Sequence, residues 1–326
     1  MNQNINKTVI ITGGCGYIGS HIAKVLSLSG QYNIVIIDRQ ANPHAIKYAN
    51  LFVKDDIDSD QSTLLLNHIK PDAIVHCAGD LIVGESVSDP GLYYTNNVAK
   101  SANFLNQVRQ LNKLPVVVFS SSASVYGIPK QIPVKESANK NPINPYGRTK
   151  LIIEQLLADF DYAYGLKSIS LRYFNACGAE PFNFDLGQAS GASHIIAKLL
   201  ESKLNNRSFI LNGTDFLTND GTCVRDYIHV WDLAIAHLQA IEFLLSTQQS
   251  QILNLGTNTG ISNLEIINYV EKYIGEIDLK FGPRRDGDPD SLIADATLAK
   301  NLLDWSPNYS DLETIVTSAW KWYNSK

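Results

Sequence analysis

The first half of the chain alternates short apolar runs with longer stretches in which apolar residues recur at helical spacing. The runs at 8–12, 34–38, 73–77, 116–120 and 168–171 are rich in valine and isoleucine and are not interleaved with polar residues. Strands buried on both faces have that composition. Between them, 17–29, 62–69, 92–110 and 145–164 carry amphipathic patterns that predict helices. The crossover between Leu51 and Pro71 is short, so its element boundaries are loosely defined. Alternating β and α units of this kind predict an α/β fold with a doubly wound parallel sheet.

After Asn175 the rhythm changes. Glycines, asparagines and aromatics cluster in 178–191, which reads as loop. Helices are predicted at 192–204, 263–274, 296–303 and 312–323, and strands at 208–211 and 252–255. The stretch 227–245 predicts a helix that packs back on the sheet. The expected organisation is a larger domain over 1–175, receiving a returning segment near 225–260, with 176–326 mainly forming a smaller lobe.

Composition narrows the function. Of the 326 residues, 44% are hydrophobic and 18% charged, as in soluble globular proteins. A net charge of -5 with no basic stripe gives no footprint for nucleic acid. No apolar run reaches the roughly 18 residues of a membrane helix. The first seven residues lack the apolar core of a signal peptide. Cys15, Cys77, Cys177 and Cys223 are far apart and form no CxxC pair, which argues against a zinc site or a redox dithiol. The expectation is a reduced, cytoplasmic protein with no metal.

The candidate chemistry begins at Gly13, Gly16 and Gly19, which follow the first strand and open the first helix. A tight turn needs a residue tolerant of positive φ, and a helix N-terminus without side chains in the way suits a pyrophosphate. Asp38 ends the second strand, where a carboxylate accepts hydrogen bonds from ribose hydroxyls and repels a 2′-phosphate. That favours NAD over NADP, although Arg39 follows it. Cys77, Ala78 and Gly79 end a later strand, where small residues leave room for a cofactor. Tyr146 and Lys150 are spaced to share one helix face. An ammonium beside a phenol is expected to lower the phenol pKa and make Tyr146 a usable proton acceptor. Ser122, just past the end of a buried strand, can share the substrate proton.

GxxGxxG, a serine and Y-x-x-x-K in this order resemble the extended short-chain dehydrogenase/reductase family. Closer likeness to its UDP-hexose 4-epimerase branch lies in Gly13–Gly14–Cys15–Gly16–Tyr17–Ile18–Gly19–Ser20–His21, Val83–Gly84–Glu85–Ser86, Tyr93–Tyr94–Thr95–Asn96–Asn97, the Ser121–Gly127 segment, Arg172–Tyr173–Phe174–Asn175, the Gly221–Val230 segment and Pro283–Arg284–Arg285–Asp286–Gly287–Asp288. The likeness spans nearly the whole chain.

The resemblance implies a Rossmann-like NAD domain and an isomerase that interconverts UDP-glucose and UDP-galactose by transient oxidation at C4. It implies Ser122, Tyr146 and Lys150 as the catalytic group. Gly13, Gly16, Tyr17, Ile18, Gly19, Asp38, Asp56, Ile57, Cys77, Ala78, Gly79, Asn96, Ser120, Tyr146, Lys150, Tyr173 and Phe174 are then expected to hold the cofactor. Ser122, Tyr146, Asn175, His194, Arg225, Tyr227, Arg285, Asp288 and Leu292 are expected at the substrate, with Arg225 and Arg285 on the diphosphate and Asp288 on the uridine ribose. It also implies a homodimer through the helices 92–110 and 145–164. Three departures stand out. Leu81 replaces a lysine seen in many members, His194 lies where some have paired asparagines, and Leu292 replaces a tyrosine that narrows the sugar pocket in some. The alternatives are a UDP-N-acetylglucosamine 4-epimerase, a nucleotide-sugar 4,6-dehydratase and an idle NAD-binding scaffold. Ser122–Ala123–Ser124, in place of a Thr-Asp-Glu resemblance, speaks against elimination.

Overall fold

A computed structural model describes residues 7–189, 191, 194–284 and 288–325. The central sheet contains β1 (Lys7–Thr12), β2 (Tyr32–Asp38), β3 (Leu51–Lys54), β4 (Ala73–His76), β5 (Val116–Ser122), β6 (Ser168–Tyr173) and, from much later in the chain, β11 (Gln251–Leu255). Its seven strands run in the order β11-β6-β5-β4-β1-β2-β3, and all neighbours are parallel. This is the doubly wound sheet that the β–α rhythm predicts.

The strand side chains explain the unbroken apolar runs. Val9 and Ile11, with Ile34, Ile36, Val75 and Val118, pack under the helices Tyr17–Ser29 and Val230–Thr247. Ile10, Val35, Ile37, Ile74 and Val117 point the other way, onto Phe104, Leu105, Ile153 and Leu157. Successive residues of a strand face opposite sides, so two buried faces demand apolar residues at every position.

The remaining strands are short: β7 (Asn175–Cys177), β8 (Phe209–Asn212), β9 (Val224–Arg225), β10 (Tyr227–His229), β12 (Ile261–Ser262), β13 (Leu279–Gly282) and β14 (Ser291–Leu292). They form the small sheets β10-β7, β12-β9-β14 and β13-β8. A separate core of Leu199, Leu200, Ile266, Ile267, Ile315 and Trp322 lies beneath them.

Three expectations change. Tyr227 does not begin a helix: Tyr227–His229 pairs with Asn175–Cys177, and the helix starts at Val230, where the His229 side chain caps the Trp231 amide. The helix expected over 92–110 starts at Pro90, capped by Asp89, and passes through a π-helical stretch, Tyr94–Ala99. The loosely defined crossover contains the edge strand β3. Among the described residues no helix is long and apolar enough to cross a membrane, and all four cysteines are free thiols.

Candidate active site

A cleft of about 1190 Å³ opens at the C-terminal ends of the sheet strands, where ligands bind in open α/β sheets. Gly13, Gly16, Tyr17, Ile18, Gly19, Asp38, Asp56, Ile57, Cys77, Ala78, Gly79, Asn96, Ser120, Ser122, Tyr146, Lys150, Tyr173 and Phe174 all line it.

Gly13 has φ of +71°, and a Cβ there would meet the Ala78 amide nitrogen at 2.7 Å. A Cβ on Gly19 would strike the Gly13 carbonyl. The helix Tyr17–Ser29 begins with no side-chain cap and no acid in its first turn. Its first N–H groups have no partner within the helix, and they suit an anion at that end. Asp38 accepts from the Cys15 amide at 2.9 Å and the Gln40 amide at 3.0 Å, which fixes its carboxylate and leaves lone pairs for ribose hydroxyls. Arg39 is drawn to Asp80, 3.6 Å away across the cleft. Lys100 neutralises Asp56 at 2.5 Å. These residues fit a dinucleotide with unsubstituted ribose hydroxyls.

The reactive groups meet at the end of β5. Ser122 is the last residue of that strand, and Tyr146 and Lys150 lie on the helix Pro145–Tyr164, which Asn144 caps and Pro145 opens. Asn144 accepts from the Gly147 amide at 2.8 Å. Gly147 is required because a Cβ would meet the Ser124 carbonyl at 2.5 Å. The Ser122 hydroxyl hydrogen-bonds to Tyr146.

Here the expected electrostatics are corrected. Burial raises the Tyr146 phenol above its ordinary value, and the Ser122 hydrogen bond only moderates the rise. The Lys150 Nζ donates to the Ser120 carbonyl at 2.8 Å and stands 5.7 Å from the Tyr146 ring centroid. Burial also brings the Lys150 ammonium down to about 8, partly offset by Cys77 and Glu154. Desolvation disfavours the charged form of both groups.

A second cavity of about 560 Å³ continues towards the smaller core and shares Asn175, His194, Lys198 and Asp288 with the first. Tyr227 lines it and donates to Asn263 at 3.0 Å. Arg225 also lines it, held by the Val224 and Pro289 carbonyls at 2.9 and 2.8 Å and by Asp288 at 3.6 Å. His194 contacts Gln188, and burial, with Lys198 nearby, lowers its pKa to about 4. Leu292 does not join the lining: it packs against the cluster containing Phe174 and Ala294. Arg285 lies outside the described residues.

The positions around Asp80 and Asp226 were not legible in the sequence. Asp80 receives the Asn96 side chain at 2.6 Å, and its amide donates to Asn97 at 2.7 Å. From the π-helical stretch Asn96 lines the cleft, while buried Asn97 packs against Gly79 (φ +152°). Asp226 accepts from the Thr257 amide and hydroxyl, the Asn258 amide and the Ala294 amide at 2.7 to 3.2 Å. It ties Arg225 to the end of β11. A doubled asparagine before a helical lysine was the one available signal for the first.

Residues 9–256 match the NAD dependent epimerase/dehydratase family. The chain belongs to that family. It is 40% identical over 325 residues to a UDP-glucose 4-epimerase of Lactobacillus helveticus, with 97% of each chain covered. It also matches the structure of UDP-glucose 4-epimerase from Brucella ovis in complex with NAD, with a TM-score of 0.92, 40% identity, and 97% and 98% of the two chains covered. The structure of the UDP-Glc/GlcNAc 4-epimerase from Campylobacter jejuni matches with a TM-score of 0.85 and 36% identity over 98% of this chain and 100% of that one.

Proposed function

We propose that this chain is an NAD-dependent 4-epimerase of UDP-hexoses that interconverts UDP-glucose and UDP-galactose. The observation that carries the reading is the meeting of Ser122, Tyr146 and Lys150 on the wall of a cleft whose far end carries an uncapped glycine-lined helix start and the fixed Asp38 carboxylate. NAD, when bound there, would supply reversible hydride acceptance for the sugar C4.

The remaining work falls to the side chains. As the phenolate, the Tyr146 oxygen takes the proton of the sugar 4-hydroxyl, and as the phenol it later gives it back. Ser122, hydrogen-bonded to Tyr146, orients that hydroxyl. Lys150 places its positive charge beside the ring and on the strand end. Asp38 would hold the adenosine ribose, with Asp56 and Ile57 beyond it, and the first turn of Tyr17–Ser29 would hold the pyrophosphate. Arg225 and Arg285 are assigned to the substrate diphosphate, Asp288 to the uridine ribose, Asn175 to the sugar-side phosphate with Tyr227 nearby, and His194 to the substrate. An anchored nucleotide leaves the keto sugar free to turn and present its other face. Residues 1–175 with the segment near 225–260 are assigned to the cofactor and 176–326 mainly to the substrate. The working form is taken to be a cytoplasmic homodimer.

A UDP-N-acetylhexose substrate is the second reading, favoured by Leu292 lying in the Phe174 cluster instead of the sugar space. The test mixes the protein with UDP-glucose, UDP-galactose and their N-acetyl forms without added NAD and identifies the products. Epimer pairs support the reading. A 4-keto-6-deoxy product, or NAD binding with no turnover of any sugar, overturns it.

A further inference from the structure

A chain of hydrogen bonds runs from the cleft into the back of the sheet. Cys77 Sγ and the Ser120 hydroxyl are 3.0 Å apart, the Ser120 and Tyr173 hydroxyls 2.8 Å, and the Tyr173 hydroxyl and His237 Nε2 2.6 Å. His237 Nδ1 lies 2.7 Å from the Leu233 carbonyl. Cys77, Ser120 and Tyr173 line the cleft, whereas His237 belongs to the helix Val230–Thr247 and is wholly buried.

The far end of this chain fixes its direction. A carbonyl only accepts, so His237 Nδ1 carries a proton. Burial lowers the imidazole pKa to about 4, so the ring is neutral and Nε2 is an acceptor. Tyr173 therefore spends its one proton on His237 and accepts from Ser120. Ser120 accepts in turn from the Cys77 thiol, which burial keeps protonated by raising it to about 11. Every member is satisfied in one orientation. The same Ser120 offers its backbone carbonyl to the Lys150 ammonium at 2.8 Å.

We propose that His237 is a positioning residue for the epimerase: through Tyr173 and Ser120 it fixes the strand end that holds Lys150 at the reactive end of the cleft. This rests on the proposed function. An apolar side chain could fill the same buried space, but it would leave the Tyr173 hydroxyl without its acceptor and free Ser120 to rotate.

The test compares His237→Phe with His237→Gln, which keeps an acceptor for Tyr173. His237→Phe is expected to lower kcat about 10-fold with KM for UDP-glucose within about 2-fold, and to weaken the calorimetric Kd for NAD about 5-fold. His237→Gln is expected to recover most of both. Wild-type kcat and NAD Kd in His237→Phe, or a glutamine variant as impaired as the phenylalanine one, overturn the proposal. Should His237→Phe fail to fold, Tyr173→Phe removes only the hydroxyl. It must then show the same kcat loss and weaker NAD binding, and wild-type values in it overturn the proposal equally. A wild-type protein that binds NAD but does not turn over UDP-glucose defeats the proposed function alone, because the NAD Kd of the variants still reads the chain.

Discussion

On the sheet side of the cleft, each functional group lies within a turn or two of chain from what positions it: Gly13 and Gly19 in one strand–helix turn, Tyr146 and Lys150 on one helix, Ser122 at one strand end. On the other side, Arg225 and Asp288 come from a two-residue strand and a loop joined by distant partners, with Asp226 as the knot. The first side is rigid by local geometry and rests on a sheet buried on both faces. The second depends on contacts far apart in sequence. The contrast teaches that chemistry and substrate anchoring can be perturbed separately.

The largest effect is expected from Tyr146→Phe. Removing the proton acceptor should cost about 10³-fold or more in kcat, while NAD binding by calorimetry persists. Comparable activity in the variant would break the assignment of the sheet side.

Lys150→Met should cost on the order of 10²-fold in kcat yet raise the melting temperature. The folded state holds this amine at about 8 against an ordinary value of 10.5, so between those pH values the unfolded chain binds more protons. Stability of the wild type therefore rises as pH climbs from about 8 to 10.5, and the buried ammonium is destabilising below that window. The methionine variant should lack the rise. Melting curves at pH 7 and pH 10 read it directly.

Asp226→Ala should act on the other side. Four donors lose their acceptor, at a cost of about 3 kcal/mol in stability. KM for the UDP-sugar should rise about 10-fold, with kcat changed less. A variant that loses kcat and keeps KM would erase the distinction between the two sides.

The smallest effect is expected from Leu292→Tyr. Its side chain packs with Phe174 and not in the cleft, so the ratio of N-acetylated to plain sugar turnover should move less than about 3-fold. A collapse of N-acetyl turnover would place this residue at the sugar.

The same contrast explains what was legible in the sequence. Strand runs such as Val9–Ile11 and the helix Pro145–Tyr164 were readable because buried period and capping are written locally. So were the glycine turn and the Tyr146/Lys150 pair. The electrostatics of that pair were not, since spacing says nothing of how deeply two groups are desolvated. The strand Tyr227–His229 was hidden because its partner, Asn175–Cys177, is some fifty residues away and its apolar residues continue into the following helix. Asp226 and Asp80 were hidden because a lone aspartate in sequence is indistinguishable from a solvated one.

The central claim is a hydride that leaves C4 and returns to C4 within one site. UDP-glucose carrying deuterium at C4 tests it most directly, with the product analysed by mass spectrometry and NMR. The account expects UDP-galactose that retains the deuterium at C4 and takes up none from heavy water when unlabelled substrate is used. Washout of the label, or solvent deuterium on C4, would contradict it.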